Sequence, residues 1–578
     1  MGIQPEHPGS FHQSAEHAGS APRDAGRKIR VLFATPGWPC GMMEVGSWAK
    51  REGLAEVLIV QLQAEREPGA AEPAAREALA AVGRPLVERL LEFRPHLVGF
   101  RLEGGRFDDV KQYIRAVRLF SDAQVVLGGP TATSHPREVL ELSGADYVFA
   151  GEAEEPFNQF LRLAWERNSN DRQPEIPGLA YRYGGRTYHN TLPADGYERT
   201  VLEADGARCA RDLRCLRNLA RPVADARLLA ANRLDWSLLD GFATPLDSLY
   251  FTGGRGCPGA CTFCAKLHGQ EVRVKSAGQL LEEIEAADAC VAAGKLRLTR
   301  WRLFEHTDDP RLRDREVAWA AVYDEDFFLH RKRAIDFFRL WSQSPLEQRY
   351  RLSLQTNPCS LLEPGGAVHG ELLSWIDRLK PMVQLGAESF HPEVLARWRK
   401  RHTAAQLATV LDALDATRQD YTVFQLLTDF DSTAEELVEV LRLLVLCALG
   451  HRRMRIAANP FTIPLYDSDT RRLLEYGGRL GPGRVRDFTD YERPQPGWMD
   501  PLVAELAELA DAELHWALEL PSRDAALVSA FAAVLERISA EAASLPAASA
   551  RGERVRHLLH QAQAAMDQIK EARFRAPR

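Results

Sequence analysis

Three of the chain's nine cysteines, Cys257, Cys261 and Cys264, stand close together in the string GGRGCPGACTFCAKLHGQ, while the others are scattered. A Cx3Cx2C spacing directly after an apolar run puts three thiolates on one loop. Such a loop can hold three irons of a [4Fe–4S] cluster and leave the fourth iron open to another ligand. The same three cysteines with His268 could instead form a compact structural zinc site, although zinc sites usually divide their ligands across a longer insert. Three unrelated buried thiols would leave the spacing without a reason. A disulfide framework does not fit one tight cluster, and the pattern suits a reducing compartment.

The elements that would position this loop are legible in the apolar runs. From Lys28 onward, IRVLFA, EVLIVQL, HLVGFRL, AQVVLGG and DYVFAG read as short buried strands, separated by helix-compatible stretches such as DDVKQYIRAVRLF. Alternating strands and helices specify a parallel sheet covered on both faces, so residues 28–165 are expected to form a doubly wound α/β domain. Residues 1–27, polar and rich in Gly, Pro, Ser and His, read as a flexible leader. The stretch 166–245 is expected to link two domains, with a β-hairpin around Gly184 and Gly185. A second series, LDSLYFTGG, LRLTRW, WAAVYDEDF, RYRLSLQTN, MVQLGAES, YTVFQLLTDF and MRIAANPFTI, predicts a partial or full β/α barrel over 246–470. Its active site would lie at the C-terminal ends of the strands. Residues 471–578, rich in Ala, Leu and Glu from Pro501, are expected to form a small, mostly helical cap.

The 578 residues leave room for two to four domains at roughly 150 residues each. With 45% hydrophobic, 26% charged and 8% aromatic residues, the composition is that of a folded globular chain. The balance of 73 Lys and Arg against 80 Asp and Glu, net charge -7, argues against duplex nucleic acid as a partner. No run reaches the apolar length of a membrane span, and the first residues carry no signal-peptide core. A cytoplasmic protein without membrane or nucleic-acid partners is expected, acting on a small molecule.

The cysteine string, with Phe263 before its last cysteine, resembles the loop of the radical S-adenosylmethionine (SAM) superfamily. VYDEDFF at Val322–Phe328 is similar to that family's second-strand acidic motif, LGAES at Leu385–Ser389 to its fourth-strand motif, and NPFTIPLYDS at Asn459–Ser468 to its sixth-strand Pro-rich segment. The resemblance implies that Asp324, Glu325 and Asp326 are candidates to meet the amino group of SAM, and that SAM also lies near Glu388. Ser353, Gln355 and Asn357, at alternating positions of the strand between, are expected to face the barrel mouth. A solvated acidic turn and a paired structural carboxylate at Glu388 are the plainer alternatives.

The segment VVLGGPTATSHPREVLELSGADYVFAGEAEEPF resembles the cobalamin-binding domain that precedes the barrel in one subgroup of that superfamily. Gly128, Gly129 and Pro130 end one strand, and Gly151 and Glu152 end the next. The resemblance implies that these residues let the corrin or its nucleotide tail approach the backbone. The subgroup's usual lower-ligand motif, DxHxxG, is not matched, because Trp38 stands where the histidine would fall. This implies a base-off corrinoid whose lower face is covered by Trp38 and a cation such as Arg66 or Arg101, unless those arginines are surface charges.

Cobalamin, SAM and a [4Fe–4S] cluster together imply methyl transfer to carbon by way of methylcobalamin, with the hard chemistry carried by the cofactors. The wording of HGQEVRVK, LTRWRLFEH, AAVYDEDFFLHRKRAIDFFRLW and PMVQLGAESFHPEVLARWRKRH resembles the tryptophan 2-C-methyltransferases of thiopeptide (thiostrepton-type) antibiotic biosynthesis. That resemblance implies L-tryptophan as substrate and C2 of its indole as acceptor. An external electron donor is expected besides. Trp301, Tyr323, Phe424 and Phe461 are candidates for an aromatic slot, and each could equally be a core residue. The rival enzymes are a radical methylase of an unactivated carbon and a ring-forming oxidoreductase; a corrinoid or cluster carrier is the non-enzyme reading. Glu271 is a candidate ligand of the fourth iron, where it would keep SAM from chelating that iron. Its alternative is a surface pair with Arg273 or Lys275.

Overall fold

The computed structural model describes residues 28–575 apart from 64–81, 104–105, 135, 167–173, 192–197, 202–223, 241, 243–244, 265–266, 303–315, 430, 460–500, 518–522 and 547. Strands β1 (Ile29–Thr35), β2 (Ala55–Gln61), β3 (Leu97–Arg101), β4 (Gln124–Gly128) and β5 (Tyr147–Phe149) run parallel, with β1 between β2 and β3. Their order along the sheet is β5-β4-β3-β1-β2, so the winding reverses between β1 and β3. In open α/β sheets ligands settle outside the strand C-termini at such a reversal. Here Arg101 ends β3, and Trp38 follows the end of β1.

Both faces of this sheet are covered, as uninterrupted apolar strands require. Leu32, Val98, Val125 and Leu127 form one core with Leu86, Val110, Ile114 and Val139 from the helices 84–93, 107–120 and 136–143. Val31, Phe33, Val57, Leu97 and Val126 point the other way, into a second core that continues through Trp236 and Phe251 into the barrel.

The stretch expected to be a linker extends the first sheet. Strands β6 (Leu179–Tyr183) and β7 (Arg186–Thr191) make the hairpin, turning through Gly184 and Gly185 at φ +55° and +75°. Two successive positive φ angles match the twist of the flanking strands and suit glycine. With β8 (Glu198–Val201) this meander continues antiparallel from β5, and β9 (Leu239–Asp240) adds a parallel strand to the far edge of β2. The edges of the five-stranded sheet, open to pairing, are thereby extended.

The barrel begins at β10 (Ser248–Phe251), followed by a two-residue pair, β11 (Gly254–Arg255) and β12 (Arg273–Val274), that closes the neck of the cysteine loop. The segment LRLTRW contributes a bridge from Leu298 to Leu246 and the short β13 (Trp301–Arg302), antiparallel to its neighbour, rather than a full parallel strand. The remaining strands are β14 (Glu316–Val322), β15 (Tyr350–Thr356), β16 (Met382–Glu388), β17 (Tyr421–Leu426) and β18 (Met454–Asn459). They run parallel in the order β10-β14-β15-β16-β17-β18, and among the described residues β18 does not pair back onto β10. Over the described residues the barrel is therefore partial.

Helices 277–292, 331–341, 370–379, 404–416 and 434–450 cover its outside, and Ser276 and Thr403 start two of them with capping boxes. Helices 501–517, 523–544 and 550–575 form the C-terminal cap. It is fastened to helix 434–450 by the Arg442–Gln568 hydrogen bond at 2.8 Å and the Arg554–Glu435 ion pair at 3.1 Å. Among the described residues no helix is long and apolar enough to cross a membrane.

Candidate functional site

The cysteine loop leaves β10 through Gly253, Gly254, Arg255 and Gly256. A Cβ on Gly253 would lie 2.2 Å from Arg333 Nη2, so any side chain there would expel the arginine. Gly256 holds φ at +90°, and its missing Cβ would sit 2.0 Å from the Glu271 carbonyl oxygen. These contacts explain the glycines of GGRGC by close packing. The Cys257 amide donates to the Gly269 carbonyl at 3.1 Å, which folds the far end of the loop back on its start.

All three cysteines are partly exposed. A Cβ built on Gly259 would meet Cys257 Sγ at 3.3 Å and Cys261 Sγ at 3.7 Å, so two sulfurs gather over that backbone. Burial raises the pKa of the Cys257 thiol, helped by Asp326 and by the other two thiols. A positive centre placed beside them would favour the thiolates. No three His, Cys, Asp or Glu side chains among the described residues are placed to hold a single metal ion. His268 instead turns Nδ1 to Glu152 at 2.8 Å. The residues thus suit a cluster, which spaces its thiolates by its own width, better than a one-ion zinc site. The Glu271 side chain is exposed, while its backbone packs beside Gly256.

The acidic segment after β14 separates into three roles. Asp324 accepts from the Gly254 amide at 2.6 Å and pairs with Arg333 at 2.7 Å, so it braces the glycine strand. Asp326 accepts from Thr356 Oγ1 at 2.7 Å, Ser360 Oγ at 2.6 Å and Asn357 Nδ2 at 3.2 Å, tying the exits of β14 and β15 together. Glu325 accepts from the Gly256 amide at 3.1 Å through Oε2; burial raises its pKa. Its other oxygen leaves it the best placed of the three to meet an ammonium group.

On β15, Arg351, Ser353 and Gln355 are partly exposed and alternate with buried Leu352, Leu354 and Thr356, and Asn357 follows. Glu388 ends β16 at φ +68° beside a register shift, and lies 3.5 Å from the buried Lys400 ammonium. Burial raises the pKa of its carboxyl against the pull of that charge. Lys400 also reaches Asn357 Oδ1 at 3.3 Å and lies 5.6 Å from the Phe263 ring centroid, joining the cysteine loop to two strand ends.

The two sheets meet at their C-terminal rims. Trp38 packs on Trp236 and on Tyr250 of β10, each with ring centroids 5.7 Å away, and Tyr250 packs on the half-exposed Tyr323 at 5.0 Å. Burial and the neighbouring Tyr250 push the Tyr323 hydroxyl up to about 12. Phe424 is half-buried on β17. Trp301 lies in β13, and Arg66 and Phe461 fall outside the described residues. Arg101 pairs with Glu103 at 3.3 Å beside the switch point.

Around that rim Gly37 and Gly41 have nothing within 4 Å of a built Cβ, and Gly128 has one atom, at 3.9 Å. Such open backbone leaves room for a flat macrocycle. Among the described residues, Trp38 Nε1 is buried without a hydrogen-bond partner at the same rim. Gly129 is instead required by the protein itself, since a Cβ would lie 2.7 Å from the Leu102 carbonyl oxygen; Pro130 begins a short helix after it. Gly151 donates its amide to Thr133 Oγ1 at 3.0 Å.

Glu152, expected beside Gly151 at the cobalamin, is engaged by the protein itself. Its carboxylate is buried between the two domains and accepts from Arg255 at 2.8 Å, from Arg273 twice at 2.9 Å and from the Ala224 amide at 2.6 Å. Burial would raise its pKa, but His268 and the two arginines hold it well below the ordinary 4.5. The stabilisation is therefore fully present above 4.5 and fades as the pH falls toward the depressed value. Urea midpoints followed from about pH 7 down to about pH 3 should fall more steeply for the wild type than for Glu152→Gln. Parallel curves would remove Glu152 from the account.

Arg255, Arg333, Lys400 and Tyr250 escaped sequence reading, and Arg273, read there only as a surface partner of Glu271, is buried. Only the alternation of Arg273 and Lys275 in VRVK, two buried cations on one short run, offered a signal.

A family model described as the B12 binding domain matches residues 59–161, and one described as the Radical SAM superfamily matches residues 251–444. No curated protein matches the sequence. Among solved structures, the chain is similar to the radical S-adenosylmethionine methyltransferase TsrM from Kitasatospora setae with tryptophan substrate and the SAM analogue aza-SAM bound. The identity is 15% over 86% of this chain and 90% of that one, with a TM-score of 0.56. TsrM with cobalamin and a [4Fe–4S] cluster bound is 14% identical over 94% of this chain and all of that one (100%), at a TM-score of 0.55. The cobalamin-dependent S-adenosylmethionine radical enzyme OxsB with aqua-cobalamin bound is 12% identical over 94% of this chain and 80% of that one, at 0.53. At these identities the likeness is one of fold.

Proposed function

Because the chain joins a B12-binding domain to a radical SAM domain, we propose that it is a cobalamin- and SAM-dependent methyltransferase acting on carbon of a small aromatic molecule, with L-tryptophan the first candidate. The observation that carries this reading is the meeting of the two C-terminal rims, with Trp38 against Tyr250 and the cysteine loop clamped on the exit of β5.

When bound, cobalamin supplies a cobalt nucleophile for methyl transfer, and the cluster supplies electrons. Cys257, Cys261 and Cys264 would hold the cluster, with Glu271 the candidate for the remaining iron. Glu325 would receive the amino group of SAM, and Lys400 keeps Glu388 and Asn357 at the barrel mouth. Gly37, Gly41 and Gly128 leave the corrin its space. Tyr323, Tyr250 and Phe424 offer ring faces to a flat acceptor and keep water from it. Tryptophan is supported by the sequence resemblance and by the TsrM structure that binds it.

Incubation of the anaerobically reconstituted protein with SAM, a reductant and L-tryptophan tests the reading. Mass spectrometry should find a methyl group on indole C2 and S-adenosylhomocysteine without 5′-deoxyadenosine. Stoichiometric 5′-deoxyadenosine would transfer the reading to radical methylation or ring formation, and cofactor binding without turnover of any amino acid to a carrier.

Trp38 in place of a histidine yields a separate expectation. Electron paramagnetic resonance of the cob(II)alamin state should lack the nitrogen superhyperfine splitting that an axial imidazole produces. Splitting that disappears with a histidine substitution would refute it.

A further inference from the structure

The neck of the cysteine loop carries a contradiction that the chain resolves from outside the barrel. Arg255 and Arg273 stand directly opposite each other in the β11–β12 pair, and their side chains are 3% and 2% exposed. Like charges facing across a strand pair repel, and burial makes an uncompensated charge far more costly. The carboxylate between them comes from the other domain. Glu152, 2% exposed at the exit of β5, receives Arg255 Nη1 at 2.8 Å and both terminal nitrogens of Arg273 at 2.9 Å.

Arg255 has further partners on the same side, Glu44 of helix 40–51 and Glu154 at the start of helix 154–166. Arg273 has no other carboxylate among the described residues; its remaining bonds go to the Ala224, His268 and Glu271 carbonyls. The closure of the neck thus depends on Glu152, one residue beyond Gly151 on the rim of the first sheet.

We propose that Glu152 is an interdomain latch: the B12-binding domain supplies the counter-ion that closes the neck of the cysteine loop, so that the iron–sulfur cluster and cobalamin bind interdependently. The latch rests on the reading of the two domains given above. Glu152 is a positioning residue that acts through Arg255 and Arg273. Since coupling is reciprocal, a cofactor that steadies one side of the latch must strengthen the binding of the other.

The test uses the full chain, reconstituted anaerobically with iron and sulfide, as wild type, Glu152→Gln and the double variant Glu152→Gln with Arg273→Gln. Far-UV circular dichroism reports folding. Iron content, the rate of iron loss to a chelator and the paramagnetic resonance of the reduced cluster report the loop, and hydroxocobalamin affinity is read from tryptophan fluorescence. Glu152→Gln should lose iron about tenfold faster with an altered cluster spectrum. The double variant, which also removes the stranded charge, should recover most of both. Cobalamin affinity of the wild type should fall about fivefold or more when the three cysteines are alanines, and that dependence should vanish in Glu152→Gln.

Wild-type iron retention in Glu152→Gln, no recovery in the double variant, or cobalamin affinity indifferent to the cluster would each overturn the latch. If Glu152→Gln does not fold, Glu152→Asp, which keeps the charge on a shorter reach, carries the same comparison. A wild type that binds neither cofactor overturns the functional reading and the latch with it; one that binds both independently overturns the latch alone.

Discussion

Replacement of Cys257, Cys261 and Cys264 together by alanine is expected to give a folded chain that takes up no iron and transfers no methyl group. The wild type, reconstituted without oxygen, should carry about four iron and four sulfide. Folding should survive because all three side chains are partly exposed on a loop, outside the hydrophobic cores. Each loses few packing contacts, so the large-to-small penalty of a buried site does not apply. Function should vanish because no other described residues offer three thiols on one loop; Cys40, Cys290, Cys359 and Cys447 are apart from it. Iron and sulfide analysis with the visible absorbance of the cluster decides the matter. Stoichiometric zinc in the native protein, or unchanged iron in the triple variant, would replace the cluster with the zinc site.

The largest stability effect is expected at Lys275. Its ammonium donates to both oxygens of Glu283 at 2.9 Å, and each side chain is 2% exposed. The same residue binds the barrel together through its backbone, donating its amide to the Gly253 carbonyl at 2.8 Å and accepting Arg333 Nε at 3.0 Å. Lys275→Met should cost about 3–5 kcal/mol in urea unfolding, because it strands a buried carboxylate. Adding Glu283→Leu should return much of that loss, since an apolar pair of similar size can replace a buried ion pair at little cost.

The single variant also has a pH signature. Burial already raises the pKa of Glu283 with Lys275 present. Alone, Glu283 binds its proton still more tightly in the folded state, so stability is retained at acid pH and lost as the pH rises through its folded pKa. The deficit of Lys275→Met should therefore be larger at neutral pH than in acid. A deficit under about 1 kcal/mol at neutral pH would show that the pair does not hold this corner.

The architecture was legible where one element could be read from its own residues. The apolar runs located β1 to β5 and six parallel barrel strands, and the pair Gly184 and Gly185 located the hairpin. That the hairpin joins the first sheet, and that β8 and the two-residue β9 extend it, was hidden in an apparent linker, since β9 pairs with β2, an edge formed much earlier in the chain. LRLTRW has a strand-like pattern, but Leu298 makes a single bridge and only Trp301 and Arg302 pair further. The cysteines were legible from spacing alone. The ion pairs around them were not, since Glu152 lies 103 residues from Arg255 and 121 from Arg273. A carboxylate three residues past an apolar strand looks the same whether it will meet a ligand or an arginine from another domain. The acidic triplet shows a similar limit: Asp324, Glu325 and Asp326 are adjacent in sequence, and their partners diverge to Arg333, Gly256 and Ser360.

The uneven way in which the first sheet buries its two faces bears on how the molecule comes apart. One face has its own helices, but the other shares an apolar core with the barrel, running from Val31 and Phe33 through Trp236 to Phe251 and Leu280. Residues of that shared core cannot lose their partners singly, so the parallel sheets should melt as one calorimetric transition rather than as two beads on a string. A chain divided at the start of the barrel would expose a matching oily surface on each half, and the halves would be expected to aggregate or to find each other again.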